Sequence, residues 1–384
     1  MARILWHSCA SWSPSGYGQQ TAIWTQKLTE MGHEVYLSVF WGLNGSPTQW
    51  NGITVLPAFG ANYSSPSLQQ HARHLQPDLV ITLGDVWVLD PNVLRELPLA
   101  HWLPSDCRPM SNADRGVVEA GGASLIAMSR FGQDRFRDAG FGDALYVPHA
   151  IDFSVFALPA DRAALREAAG IGPDTFVIGV NAANNDAIRK APAEMMLAFA
   201  KFLQSKPDSL LLLHTAVHCD GGQDLEFLAE NLGITDKVTV VDQYRYSAGL
   251  IGAPDLADWY GLCDVLLAAT YGEGFGLPIV ESMACGTPVI TTRCSSMEEL
   301  NPDGISVDGE PFWNGVHKGW WIRPSISGMV AALEQAWERR DEVDRVKLRE
   351  SVAQYEVGRV AEEHMGPAVD VLLERMAAKR GIAA

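Results

Sequence analysis

Short, unbroken apolar runs alternate along this chain with segments whose apolar residues recur at helical spacing. Runs of the first kind suit strands buried on both faces, and the alternation predicts parallel sheets covered by helices. In the first half the pattern predicts strands over residues 3–7, 34–40, 78–83, 100–103 and 124–128, with a helix over 18–31. The second half starts afresh, with strands over 175–180, 209–214, 238–241, 264–268 and 288–291. That restart predicts an α/β protein of two doubly wound, Rossmann-like domains. Residues 157–174, rich in Ala, Pro and Gly, read as the connecting segment with a short helix. The domains then span 1–157 and 158–357. An apolar stripe through Val357, Val360, Val369, Leu372, Leu373 and Met376 runs past what the second sheet needs. A helix over 358–384 crossing back to the first domain accounts for it, with a break or kink at Gly366 and Pro367.

Composition narrows the class. With 384 residues, 47% hydrophobic and 20% charged, the chain can bury two cores and is not a disordered one. A formal charge of −17 gives no general attraction to phosphate backbones. The charge is uneven, however: residues 1–150 carry 9 basic and 12 acidic side chains, against 20 and 34 in the remainder. The six cysteines (Cys9, Cys107, Cys219, Cys263, Cys285, Cys294) show no CxxC pair and no zinc spacing, so they read as reduced core thiols of a cytoplasmic protein. The N-terminal run lacks the charged and apolar regions of a signal peptide, and no apolar stretch is long enough to span a bilayer, so export and membrane insertion are not expected.

The stretch YGEGFGLPIVESMACGTPVI (residues 271–290) carries the clearest chemistry. A buried strand runs into a Gly-rich turn and Pro278 opens a helix, so the backbone amides of Gly274, Phe275, Gly276 and Leu277 form a cradle for phosphate. Glu273 before the cradle and Glu281 one turn inside it can accept hydrogen bonds from sugar hydroxyls on either side. A nucleotide sugar has hydroxyls on both sides of its diphosphate.

This stretch resembles the Glu-x7-Glu motif of retaining GT-B glycosyltransferases, especially glycosyltransferase family 4, with both glutamates, the GFGLP turn and the ACGTPVI strand in register. The resemblance implies a GT-B fold, in which two Rossmann-like domains face across a cleft that closes on the substrates. It implies that Glu273 contacts the donor sugar, that the Phe275 and Gly276 amides hold the diphosphate, and that Glu281 holds the ribose. Upstream, RKAPAEMMLAF (residues 189–199) resembles the family's Lys-Gly segment, with Lys190 ahead of Pro192 at a helix start. A cation there would neutralise the leaving diphosphate. The family usually places an Arg about five residues before the Lys, whereas Asn185 stands there and Arg189 adjoins Lys190.

Other positions allow two readings. SPSGYGQQT (residues 13–21) forms the first strand-to-helix loop, where Gly16 and Gly18 would let the backbone approach donor phosphates. The run ILWHSCASWSPSGYGQQT resembles a subgroup often encoded by bacteriophages, which would place the protein in a host cytoplasm. Asp106 follows a strand where many family members carry a His, and reads as an acceptor contact or a helix cap. Ser129, His149 and Asp152 read as structural. Tyr244, Arg245 and Tyr246 offer an aromatic wall for a base or ordinary loop packing. Trp313, Trp320 and Trp321 read as core cover or a sugar platform. Arg108, Arg115, Arg130, Arg135 and Arg137, interleaved with Phe131 and Phe136 and diluted by Asp114, Asp134 and Asp138, read as a solvated helix face or a nucleic-acid patch. There is no Asp-x-Asp of the metal-holding kind, so neither a metal nor another cofactor is expected.

The expected function is a retaining transfer of a hexose from a nucleoside diphosphate sugar, UDP-glucose first, to a hydroxyl acceptor, with Lys190, Glu273 and Asp106 in the chemistry. The acceptor stays open among a small molecule, a protein and a hydroxymethylated base in DNA, and no obligate protein partner is evident. A nucleotide-sugar epimerase and a non-catalytic sugar-nucleotide binder are the rival classes.

Overall fold

A computed structural model of the chain describes residues 1–59, 63, 65–379 and 381. It divides into two compact units, the first of Met1–Ala150, Asn314–Gly319 and Val357–Ala384, the second of Ile151–Trp313 and Trp320–Glu356.

The first unit is built on an eight-stranded sheet of β1 (Arg3–Cys9), β2 (Glu34–Trp41), β3 (Thr48–Trp50), β4 (Ile53–Leu56), β5 (Leu79–Leu83), β6 (Leu99–Leu103), β7 (Ser124–Ala127) and β8 (Leu145–Tyr146). Its order is β3-β4-β2-β1-β5-β6-β7-β8, parallel except for the antiparallel β3 edge. β5 and β6 are buried at every position, as two-sided helix cover requires. One face packs Leu5, Val80, Leu99 and Leu125 on Leu68, Val118 and Phe136. Trp102 takes the edges of both Trp6 and Trp24 at ring distances of 6.0 and 6.1 Å.

One row of this apolar sheet is polar. Ser38 of β2, His7 of β1, Thr82 of β5 and His101 of β6 stand in consecutive register, so their side chains share a face. Ser38 Oγ lies 3.0 Å from both His7 Nδ1 and His71 Nδ1, and Thr82 Oγ1 lies 2.6 Å from His101 Nδ1. Burial pushes His7 and His71 down to about 4 and His101 down to about 3, so all three rings are neutral near pH 7. His149, edge-on to Trp102 at 4.8 Å, is likewise pushed by burial to about 3.

The second unit has a six-stranded parallel sheet of β9 (Phe176–Asn181), β10 (Ser209–His214), β11 (Val238–Val240), β12 (Val265–Ala268), β13 (Val289–Thr292) and β14 (Ile305–Val307), ordered β11-β10-β9-β12-β13-β14. β15 (Gly309–Asn314) and β16 (Gly319–Pro324) form a separate two-stranded sheet. Ile178, Leu211, Leu213, Val265 and Leu267 pack on Phe199, Phe202, Met329 and Leu333 of the covering helices.

Three expectations need correction. Residues 157–174 are not a linker: the Arg162–Ala168 helix belongs to the second unit, whose boundary falls at Ile151. The physical reason is Asp264, which accepts from Arg162 Nη2 at 2.7 Å, Arg166 Nη1 at 3.0 Å and the Val177 amide at 2.8 Å. Of the break or kink expected at Gly366 and Pro367, the break does not occur. The chain stays helical from Val357 to Lys379 and absorbs the proline in a π segment, Ala361–Met365, which widens the turn just before it. Cys219 is exposed, while the other five cysteines are buried.

Candidate functional site

The second unit concentrates chemistry where β12 gives way to the Leu277–Ala284 helix. Gly276 caps that helix at φ +110°, and a Cβ on it would lie 2.9 Å from Ile279 Cδ1, so glycine is required. No side chain caps this end, which leaves the helix's positive pole facing the loop. Glu273 lies in the loop, and its carboxylate meets Lys190 Nζ at 2.7 and 2.9 Å and Arg189 Nη1 at 3.4 Å. Burial pushes the Glu273 carboxyl up, but the Lys190 and Arg189 charges outweigh it and hold it below its ordinary value. Lys190 arrives here because Ala191, in a left-handed conformation, turns the chain into the Pro192–Leu203 helix with Pro192 in its first turn.

The loop is held from four sides. Ser295 Oγ accepts from the Glu273 amide at 3.0 Å, and Ser296 Oγ donates to the Glu273 carbonyl at 2.9 Å. Tyr271 donates its amide to the Arg189 carbonyl and takes the Ile322 amide of β16 on its own carbonyl. The Tyr271 hydroxyl donates to Glu194 at 2.7 Å and accepts from Arg323 Nε at 3.2 Å. The Phe275 ring lies edge-on to Tyr355 at 5.5 Å. Ser295 and Ser296 were not foreseen; their signal is the Ser-Ser pair ahead of a short helix.

Glu281 is 3% exposed, and Tyr260 Oη donates to its Oε2 at 2.8 Å. Burial first and the Glu281 charge second hold the Tyr260 phenol well above its usual value, so it remains a donor. Lys190, Arg189 and Glu273 are thus brought together beside Gly274, Phe275, Gly276 and Leu277. Asn185 is exposed; its neighbour Asn184 is the buried one, bonding the Ala216 carbonyl at 3.0 Å and the Gln223 backbone. Arg189 reaches the Gly272 carbonyl at 3.3 Å as well as Glu273. Tyr244 is 77% exposed on the Gln243–Ser247 helix, and the inward aromatic is Tyr246, against His214 at 5.4 Å. A two-residue phase on so short a helix decides which ring packs.

In the first unit Gly16 and Gly18 lie within the Gly16–Glu30 helix, capped by Ser15, rather than in the loop before it. A Cβ on Gly18 would fall 2.2 Å from the Ser13 carbonyl, so this glycine serves a backbone approach inside the unit. Asp106 is half-buried after β6 and caps no helix; Ser111 caps the next one. Burial pushes the Asp114 carboxyl up to about 7, with the Asp85 and Asp106 charges adding to it. The SNAD capping pattern is the sequence signal for that buried acid. Ser129 caps the Arg130–Asp138 helix. Arg115, Arg135 and Arg137 pair with acids one turn away, and Arg108 and Arg130 lie over the rings of Phe131 and Tyr146, which is the solvated-face reading. Trp321 is 1% exposed core cover, while Trp313 and Trp320 meet edge-on at 5.1 Å and are half-exposed.

Among the described residues no group of three His, Cys, Asp or Glu is arranged to hold a metal, and no helix is long and apolar enough to cross a membrane.

Residues 185–338 match the family described as Glycosyl transferases group 1. A D-inositol 3-phosphate glycosyltransferase of Kribbella flavida is 31% identical over 157 residues, 41% of this chain and 36% of that protein. One of Pseudarthrobacter chlorophenolicus is 27% identical over 277 residues, 69% and 61% respectively. The chain thus spans about a third to three fifths of the length of these relatives. Among solved structures, sucrose-phosphate synthase of Thermosynechococcus elongatus superposes with a TM-score of 0.77 at 17% identity, covering 98% of this chain and all of that one. Anabaena HepE in complex with UDP and glucose gives 0.71 at 18% identity, with 96% of this chain and all of that one. The fold is that of the GT-B glycosyltransferases, and within it residues 185–338 are similar to the glycosyl transferases group 1 family.

Proposed function

We propose that the protein is a family 4-like glycosyltransferase that moves a hexose, with retention, from a nucleoside diphosphate sugar to a hydroxyl acceptor. The observation that carries this reading is the meeting of Lys190 and Arg189 with Glu273 at the uncapped N-terminus of the Leu277–Ala284 helix. Two cations and a helix pole are more positive charge than one carboxylate balances, and a diphosphate supplies the difference. As the bond to the anomeric carbon breaks, charge grows on the leaving phosphate, and these groups stabilise it in place. Glu273 then faces the sugar hydroxyls and Glu281 the ribose. Asp106 is the proposed acceptor contact. UDP-glucose is the proposed donor, supported by the HepE complex with UDP and glucose. A phosphorylated cyclic polyol heads the acceptors, because the curated relatives are D-inositol 3-phosphate glycosyltransferases. The paired state of the arginines in residues 108–137 lends no support to a DNA acceptor.

The test is incubation with UDP-glucose and GDP-mannose against inositol phosphate, simple sugars, protein and hydroxymethylcytosine DNA, read by mass spectrometry and by the anomeric coupling of the product. Lys190→Ala is expected to lower transfer at least about a hundredfold with the circular dichroism unchanged. Near-normal transfer by that variant, an epimerised donor, or binding without turnover sinks the reading.

A further inference from the structure

Behind Glu281 runs a line of hydrogen bonds that the donor reading does not use. Tyr260, fully buried on the Ala253–Leu262 helix, donates to Glu281. Asn181 Nδ2, at the end of β9, lies 2.7 Å from the same phenol oxygen. His214 Nδ1, its register partner at the end of β10, lies 3.1 Å from Asn181 Oδ1. Chemistry sets the direction of each bond. An ionised carboxylate can only accept, so the phenol donates to it. The phenol has one proton, so its oxygen accepts from the amide NH2 of Asn181. The amide oxygen is thereby turned to His214, whose Nδ1 must carry the ring proton. Nε2 is left as a bare acceptor, buried and without a partner. The imidazole is held edge-on by Tyr246 at 5.4 Å and Trp259 at 5.5 Å, and burial keeps it neutral by pushing it down to about 4.

We propose that Tyr260, Asn181 and His214 are positioning residues for Glu281, and that through it they make the site selective for a ribose over a deoxyribose in the nucleoside diphosphate. The proposal rests on the donor reading above. A glutamate on a helix has several rotamers, and the Tyr260 bond selects one and fixes the plane of the carboxylate. A ribose diol then meets acceptors already in place. A dideoxyribose offers this carboxylate no hydroxyl to bind, and hydrogen-bonding sites discriminate against analogues that lack one.

Calorimetric titration of UDP, GDP and their 2′,3′-dideoxy analogues into the wild type, Tyr260→Phe, Asn181→Ala and the double variant tests this. The wild type is expected to prefer the ribose form at least about tenfold. Tyr260→Phe should weaken the ribose form about tenfold and leave the dideoxy form unchanged, with Asn181→Ala acting the same way to a smaller degree. Because the two act in series, the double variant should be no worse than Tyr260→Phe alone. Equal losses for both sugars, or an unchanged ratio, would show a merely structural role and overturn the proposal while the donor reading stands. A wild type that binds neither diphosphate sinks both.

Discussion

Replacing Asp264 by Asn removes the one negative charge that two arginines of the Arg162–Ala168 helix share. Arg166 has a side chain 6% exposed and Arg162 one 26% exposed, against 13% for Asp264 itself. Breaking such a buried pair by removing one partner costs about 3–5 kcal/mol, because the other charge stays buried and uncompensated. Here the guanidinium groups keep other acceptors, among them the carbonyls of Gly261, Leu262, Cys263 and Gly172. These hold the cost to the lower end, about 3 kcal/mol. The new amide NH2 cannot accept, so one of the three donors that Asp264 serves is opposed as well. At a urea slope of about 2–3 kcal/mol per molar, the second unit's transition moves down by about 1 M. Urea unfolding followed by circular dichroism reads the shift. In native-state hydrogen exchange the Arg162–Ala168 amides of the wild type should open together with β9 and β12. A shift below about 0.2 M, or a helix that exchanges as an independent linker, refutes the assignment of residues 157–174 to the second unit's core.

Two further outcomes follow from the first unit. The buried histidines His7, His71, His101 and His149 have native values of about 3 to 4 against 6.5 for an ordinary imidazole, so below pH 6.5 the unfolded chain takes up protons that the native one does not. Stability is therefore full above about pH 6.5 and falls as the pH drops toward 4; a melting temperature that stays level between pH 7 and pH 5 contradicts the burial of this row. Gly18→Ala should cost at least about 2 kcal/mol, since its Cβ would collide with the Ser13 carbonyl and disturb the Ser15 cap; a thermal melt within a degree of the wild type would refute the close approach.

The central strands were legible because β1, β5, β6, β9 and β12 are buried on both faces, where an apolar run is itself the signal. The short edges β3, β8 and β14 were not, since exposed or half-buried stretches of two or three residues owe their existence to a neighbour rather than to a pattern. Asp264 shows the same limit in another form: its partners lie about a hundred residues away, and composition reads their segment as a linker. In the site, Lys190, Glu273, Gly276 and Glu281 stand out because a helix start and a glycine turn are local events. Tyr260 and Asn181 join them from other elements, and nothing local marks them, whereas Ser295 and Ser296 carry only the faint signal of a Ser-Ser pair ahead of a short helix.

The loop that carries Glu273 has a consequence for how this protein becomes competent. Its ties reach Arg189, Lys190, Ser295, Ser296 and Ile322, across sequence gaps of up to 84 residues. Closing such gaps costs entropy that no short segment can recover by itself, so the cradle has no stable precursor in a fragment or a nascent chain. The anion affinity proposed for it is then an emergent property of the completed sheet and arises late in folding. Whatever binds there draws on the folding free energy of the whole second unit.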